Sequence, residues 1–336
     1  MSTRQPGQHR DTLAASAVAL PPERRPVAGP IAIGPTGNEQ FENAVRDGGG
    51  EVGELSADTR GIVWLSHQRA DELVTVLDAH PAIGWVQLPW AGVDAFAGVL
   101  ERFADRAAPL WTSAKGSYSE PVAEHALALT LAVLRQLPQK SRSSSWARTK
   151  EGLSLYGMNV VIIGAGGVAL ETIRLLQPFE VTITVVRRSV ADIPGVDRVV
   201  ASDELASVLP SADVVIVAAA ATTGTSRLLG AKELALLRPS AAVVNIARGT
   251  LIDTDALAEA LASGKLYGAG LDVTDPEPLP DGHALWAEPR CIITSHTADT
   301  PEMIAPLLAE RIRLNVEALV SGSGEFVGVV DPGAGY

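Results

Sequence analysis

Short apolar runs recur along the chain from residue 30, each bounded by glycine, proline or serine and separated by stretches with helical spacing. In the first third, 30–35 (PIAIGP), 50–55 (GEVGEL), 61–66 (GIVWLS), 83–89 (IGWVQLP) and 108–113 (APLWTS) read as strands, with helices around 38–48, 68–79 and 94–104. This alternation predicts a small α/β layer with a mostly parallel sheet. Residues 120–137 (EPVAEHALALTLAVLRQL) follow, with apolar positions too dense for one stripe, which predicts a helix buried on most sides, between domains or between subunits. Glu124 and His125 in that helix read as structural. The polar, basic, serine-rich segment 138–152 reads as a loop joining two domains.

A second β/α series then begins. Its strands are 159–163, 181–186, 197–200, 213–219, 241–246, 267–272 and 291–294, with helices near 167–177, 203–208, 230–237 and 254–263, the last capped by Asp253. Such a series predicts a doubly wound Rossmann sheet. The final helix, 301–321, has no further strand to complete and is expected to return to the first domain, making that domain discontinuous. The expected architecture is therefore α/β in two domains: a Rossmann doubly wound cofactor domain, 119–299, and a smaller flavodoxin-like discontinuous substrate domain, 29–118 with 300–322. Residues 1–28 and 323–336 read as loose tails.

The totals narrow the function classes. The 336 residues allow two domains with real cores, and 46% hydrophobic against 20% charged residues is the composition of an ordinary globular chain. A formal net charge of −12 repels nucleic acid and anionic membrane surfaces, so an anionic ligand has to be held by local cations. No apolar run approaches the roughly 20 residues that span a bilayer. The mildly apolar 12–20 (TLAASAVAL) follows Asp11 and is too weak for a secretory signal. The single cysteine, Cys291, excludes an internal disulfide, and no Cys/His cluster has metal spacing, so no metal is expected and a reducing cytoplasm fits. Cys291 itself reads as a small buried strand residue.

Chemistry first appears in the segment 160–189. Gly164, Gly166 and Ala169 occupy the positions of a dinucleotide fingerprint between an apolar strand and a helix. Gly164 permits the tight turn, Gly166 lets the backbone approach a pyrophosphate, and the amides of Gly167 and Val168 face its phosphates. The second strand is expected to end at Val186, so Arg187 stands where an NAD site would place a carboxylate for the ribose hydroxyls. A guanidinium there, with Arg188 and Ser189 beside it, offers donors to a 2′-phosphate, which predicts NADP(H) in preference to NAD(H), with NAD(H) still possible.

Three later segments lie at or just beyond expected strand ends: 243–257 with Arg248, 269–280 with Asp272 and Glu277, and 291–300 with His296. Ligands bind in this fold at the carboxyl ends of the strands. Reducing a carbonyl by hydride leaves an alkoxide that needs a proton from an acid titrating near neutrality, and histidine suits that task. A neighbouring carboxylate favours the imidazolium, and an arginine supplies a planar fork for a substrate carboxylate.

On those motifs, Asn245 to Gly249 (NIARG), Leu271 to Pro278 (LDVTDPEP) and 292–296 (IITSH), the chain resembles the D-isomer-specific 2-hydroxyacid dehydrogenase family over roughly 60–320. The resemblance implies that Arg248 binds the oxoacid carboxylate, that Glu277 partners the histidine, and that His296 donates the proton. It implies that Asp272 holds the nicotinamide carboxamide or stabilises the site, and that Ala219, Ile246 and Ala298 contact the cofactor. In the first domain, 85–96 (WVQLPWAGVDAF) is similar to the family's substrate loop, implying contacts from Trp90, Ala91, Gly92 and Val93; Lys115 and Tyr118 would line the cleft. A cytoplasmic homodimer is implied, with a small 2-oxoacid or 2-hydroxyacid as the only other partner and glyoxylate/hydroxypyruvate reduction as the activity. Ala218, Ala220 and Asp299 depart from the family pattern, which leaves room for an unusual substrate. The alternative is a cofactor-binding regulatory protein of the same fold, corepressor-like and catalytically weak.

Overall fold

The structure is a computed structural model that describes residues 17–332 apart from 107, 147 and 223. Two compact units divide it: one runs to Tyr118 and resumes at Thr300, and the other is Ser119–Asp299.

In the first unit, β1 (Ala17–Ala19) precedes the alternation β2 (Ile31–Gly34), α1 (Glu39–Asp47), β3 (Gly61–Trp64), α2 (Ala70–Ala79), β4 (Trp85–Gln87), α3 (Ala97–Phe103) and β5 (Leu110–Thr112). The four strands β2 to β5 pair in that order and all in parallel. The side chains obey the period of two. Ile31, Val63, Trp85 and Leu110 enter one core with Phe41 and Val45 of α1, while Ala32, Ile62, Trp64, Val86 and Trp111 enter another with Leu73 and Leu77 of α2 and Leu100 of α3. Local chemistry starts α1 cleanly, since the Asn38 side chain accepts from the backbone N–H groups of Gln40 and Phe41.

The strand expected at 50–55 is reduced to one parallel bridge, Val52 to Ile31, on the free edge of β2. Glycines at 50 and 53 and the charges of Glu51 and Glu54 leave too little apolar surface for more. With that bridge counted, the strand order is the 2-1-3-4-5 of a flavodoxin-like sheet. No helix covers the return from Val52 to β3, and a cavity of about 640 Å³ opens there, lined by Ala32, Gly34, Leu55, Ile62 and Trp64 among others.

The second unit opens with α4 (Ser119–Leu134) and the short α5 (Leu137–Ser141), which occupies part of the segment expected to be loop. There follow β6 (Asn159–Ile163), α6 (Gly167–Leu176), β7 (Thr182–Arg187), β8 (Arg198–Ala201), α7 (Leu205–Val208), β9 (Val214–Val217), α8 (Ala231–Leu234), β10 (Ala242–Asn245), α9 (Thr254–Ala262), β11 (Gly268–Leu271), α10 (Ala284–Ala287) and β12 (Cys291–Ile293). The seven parallel strands stand in the order β12-β11-β10-β9-β6-β7-β8. That is the doubly wound order, with the winding reversing between β6 and β9. Strands β9, β10 and β11 are buried along their whole length, as a parallel sheet covered on both faces requires.

The expected dense helix exists as α4. It packs on α6, β10 and β11, burying Val122, Ala126, Leu129 and Val133, while Leu127 and Leu131 stay half-buried. The approach is close enough that a Cβ on Gly270 would lie 2.9 Å from Leu129 Cβ. Strand β7 runs one residue past its expected end, through Arg187, which pairs with Ala201.

The chain then returns to the first unit as α11 (Pro301–Ser321), which packs on α1, and β13 (Glu325–Val327). The expectation of loose tails fails for their described parts: β1 and β13 pair antiparallel, Ala17 with Val327 and Ala19 with Glu325. Two individually weak strands form because Phe326, fully buried, joins the core beneath α11. Residues 1–16 and 333–336 of those tails lie outside the described residues. Among the described residues no helix is long and apolar enough to cross a membrane.

Candidate active site

The parallel register of the second unit sets up a row of residues at the carboxyl ends of its strands. Ile163 pairs with Val186 and with Val217, Val217 with Asn245, Asn245 with Leu271, and Leu271 with Ile293. One step further along each strand therefore lie Arg187, Gly164, Ala218, Ile246, Asp272 and Thr294, side by side across six strands. In such sheets this edge is where ligands bind.

At the switch point, Gly164 has a φ of 113° and backs onto β9 so closely that a Cβ would stand 2.4 Å from the Ala218 carbonyl oxygen. Only glycine fits both constraints. Gly166 caps α6 with no side-chain hydrogen bond, and a Cβ there would meet nothing within 4 Å. The helix amides of Gly167 and Val168 thus begin at an open turn, while Ala169 is fully buried and lets helix meet strand. An open cradle of backbone donors at a helix start fits a dinucleotide pyrophosphate. Arg187 is half-buried at the end of β7, level with Gly164, and Arg188 and Ser189 follow it exposed. Ala219 follows Ala218 at the same edge; Ile246 and Ala298 are buried.

On the other side of the switch point, Asn245 braces the turn that carries Arg248. Its Nδ2 donates to the Arg248 carbonyl at 2.9 Å, and its Oδ1 accepts from the Ala247 N–H at 3.1 Å. The half-buried Arg248 guanidinium donates to the Ala247 carbonyl at 2.8 Å. Gly249 lies flat against the next segment: a Cβ there would fall 1.8 Å from the Thr274 carbonyl oxygen. This contact locks the turn bearing Arg248 onto the segment bearing Asp272 and Glu277.

His296 Nδ1 lies 2.6 Å from Glu277 Oε1, with both side chains partly exposed. Ser295 and His296 have φ of 52° and 55°, two consecutive non-glycine residues in the left-handed region. Asp272, only 2% exposed, holds that loop. Its Oδ1 accepts from Thr294 Oγ1 at 2.6 Å and the Thr297 N–H at 2.8 Å, its Oδ2 from the Ala298 N–H at 3.2 Å, and its carbonyl from the His296 N–H at 2.5 Å. Both carboxylate oxygens accept from protein donors, so Asp272 braces the loop that carries His296.

Asp299 closes the same loop. Burial raises its carboxyl above the ordinary value; the charge of His296 opposes the rise and Asp272 adds to it. Burial, with Glu288 adding to it, pushes the Cys291 thiol up to about 12, which makes it inert near neutrality.

In the first unit, the loop after β4 is held from two sides. Tyr118 donates its hydroxyl to the Pro89 carbonyl at 3.1 Å, and the Ala114 N–H donates to the Trp90 carbonyl at 3.1 Å. Trp90 is 40% exposed and its ring leans on His67 with centroids 4.6 Å apart, while Val93 turns its side chain into the core. Ala91 and Gly92 are half-buried between them, and Lys115 is exposed. His67 was not legible as a neighbour of Trp90, because the two follow different strands, β3 and β4, and meet only through sheet pairing.

Residues 127–298 match the family model described as D-isomer specific 2-hydroxyacid dehydrogenase, NAD binding domain. A protein from Corynebacterium melassecola, known as the uncharacterized protein in the proB 3′ region, is 37% identical over 259 residues, 76% of this chain and 84% of the other. The human glyoxylate reductase/hydroxypyruvate reductase is 32% identical over 191 residues, 53% of this chain and 57% of that enzyme, so the match spans little more than half of its length. The solved NADPH-dependent glyoxylate/hydroxypyruvate reductase of Sinorhizobium meliloti, in complex with NADP and malonate, has a TM-score of 0.69 at 27% identity, covering 87% of this chain and 94% of that one. The glycine turn, the row of strand ends and the Glu277–His296 pair all fall inside the stretch that the family model matches, and the chain belongs to the D-isomer specific 2-hydroxyacid dehydrogenase family.

Proposed function

We propose that this protein is an NADPH-dependent reductase of a small 2-oxoacid, yielding the D-2-hydroxyacid, with His296 as proton donor. The observation that carries the reading is the 2.6 Å contact between His296 Nδ1 and Glu277, on a loop held at the ligand edge of a doubly wound sheet. The carboxylate takes Nδ1–H and orients the ring, which leaves Nε2 as the nitrogen that gives its proton to the forming hydroxyl oxygen. Arg248, two residues beyond Ile246 of the same edge, supplies the guanidinium for the substrate carboxylate. Gly164 to Val168 receive the pyrophosphate, and Arg187, Arg188 and Ser189 receive the 2′-phosphate. The bound nicotinamide supplies the hydride. Overall, one 2-oxoacid, one NADPH and one proton become one 2-hydroxyacid and NADP⁺.

The likeness to an NADPH-dependent glyoxylate/hydroxypyruvate reductase supports glyoxylate and hydroxypyruvate as the first substrates to try. The test is the absorbance of NADPH and of NADH with those acids, pyruvate and bulkier 2-oxoacids, for the unchanged protein and an Arg187→Asp, Arg188→Ser variant. Turnover with preference for NADPH is expected, and the variant should lose about 10- to 100-fold in kcat/KM for NADPH alone, the worth of charge-assisted hydrogen bonds. Inactivity with every acid overturns the enzymatic reading; equal use of both cofactors by the unchanged protein overturns the cofactor assignment.

A further inference from the structure

We propose that His125, on α4, is a positioning residue for His296, acting through Thr294 and Asp272; the inference rests on the reading of His296 as proton donor. His125 Nε2 lies 2.9 Å from Thr294 Oγ1 and 3.6 Å from Asp272 Oδ1. The direction of each hydrogen bond follows from counting donors. The carboxylate oxygens of Asp272 act as acceptors, for two backbone N–H groups and for Thr294 Oγ1. The single hydroxyl proton of Thr294 therefore points at Asp272 Oδ1, 2.6 Å away. Thr294 Oγ1 then has only lone pairs left for His125, which must carry its proton on Nε2 and donate it.

Donors converge on Asp272 from helix and loop: His125 Nε2–H donates to Thr294, Thr294 O–H donates to Asp272 Oδ1, and the N–H groups of Thr297 and Ala298, the two residues after His296, donate to the same carboxylate. That turn is costly to hold. Left-handed backbone at two consecutive non-glycine residues is strained and persists only where the surroundings over-determine it. A buried carboxylate is also expensive unless its acceptor sites are filled. His125 contributes to both, because it fixes the Thr294 hydroxyl rotor and sets a partial positive charge 3.6 Å from Asp272 Oδ1. Since α4 packs on β11, which ends at Leu271 just before Asp272, the helix supplies a rigid support for the end of the sheet that carries the loop.

The experiment compares variants that remove the donor or the relay, His125→Leu and Thr294→Val, with variants that retain them, His125→Gln and Thr294→Ser. Each is assayed by steady-state kinetics and by NADPH fluorescence titration, the latter reporting a folded cofactor domain. Removal is expected to lower kcat about 10- to 100-fold, the usual penalty for a misplaced catalytic group, with KM for the acid and NADPH affinity little changed. His125→Gln and Thr294→Ser should restore kcat. Unchanged kcat in Thr294→Val and His125→Leu overturns the proposal, as does a loss that the retaining variants share. His296→Ala, run alongside, separates the two readings: if it stays active, the proton-donor assignment itself falls, whereas an inactive His296→Ala beside a fully active His125→Leu removes only the positioning role.

Discussion

Glu277 and His296 are nineteen positions apart and meet at 2.6 Å. The types of both residues, and of Arg248, were legible in the sequence because each stands just past an apolar run that could only be a buried strand. Their mutual placement was not, since a hydrogen bond between two loops depends on which strands are neighbours. Glu277→Gln keeps the shape and one acceptor but removes the charge opposite the imidazole, and kcat for 2-oxoacid reduction is expected to fall about 100-fold or more at neutral pH with NADPH affinity preserved. Steady-state kinetics with parallel cofactor titration checks this, and an unchanged kcat would remove Glu277 from the mechanism. Asp272 shows what the residue type alone does not tell: it is buried and its carboxylate accepts three hydrogen bonds from the loop that carries His296.

Among the elements, the strands of the second unit were easiest to anticipate, because parallel strands covered on both faces read as continuous apolar runs. The first unit was harder. Its 50–55 run alternates glycine and acid with apolar residues and yields one bridge, and 325–327 looked like tail yet pairs with 17–19. In the second unit Gly164, Gly249, Gly268 and Gly270 mark where elements approach too closely for a side chain. Gly249→Ala would drive a Cβ into the Thr274 carbonyl at 1.8 Å, separating the turn of Arg248 from the segment of Glu277. A loss of about 3 kcal/mol in the stability of this unit is expected, with kcat falling in parallel. The buried Cys291 thiol gives the readout, since thiol reactivity against urea concentration reports opening of this unit. A midpoint equal to that of the unchanged protein would show that the Gly249 contact is easily relieved.

At the scale of the whole molecule, the first unit is assembled from both ends of the chain, and one residue closes it. Asn315 of α11, fully buried, donates to Gln87 Oε1 and to the Val327 carbonyl, both at 3.0 Å, and accepts from the Val327 N–H at 2.7 Å. Asn315→Ala removes its bonds to the buried Val327 N–H and carbonyl and leaves Gln87 Oε1 with Thr112 Oγ1 as donor, so a loss of about 2–4 kcal/mol is expected. Four of the six tryptophans, Trp64, Trp85, Trp90 and Trp111, belong to this unit, and their emission during urea unfolding measures the change. No shift in that transition would mean that the C-terminal strand is held by Phe326 alone. From its own letters the chain determined the α/β class, the glycine turn at 164–169, the cations at the end of β7 and the chemical types gathered near strand ends, because hydrophobic period and glycine spacing are local properties. Only the tertiary structure decided which strand ends stand side by side, that Ser295 and His296 sit in left-handed backbone braced by Asp272, and that His125 reaches Thr294. Those are contacts between segments distant in sequence, set by sheet register and helix packing, and no local pattern encodes them.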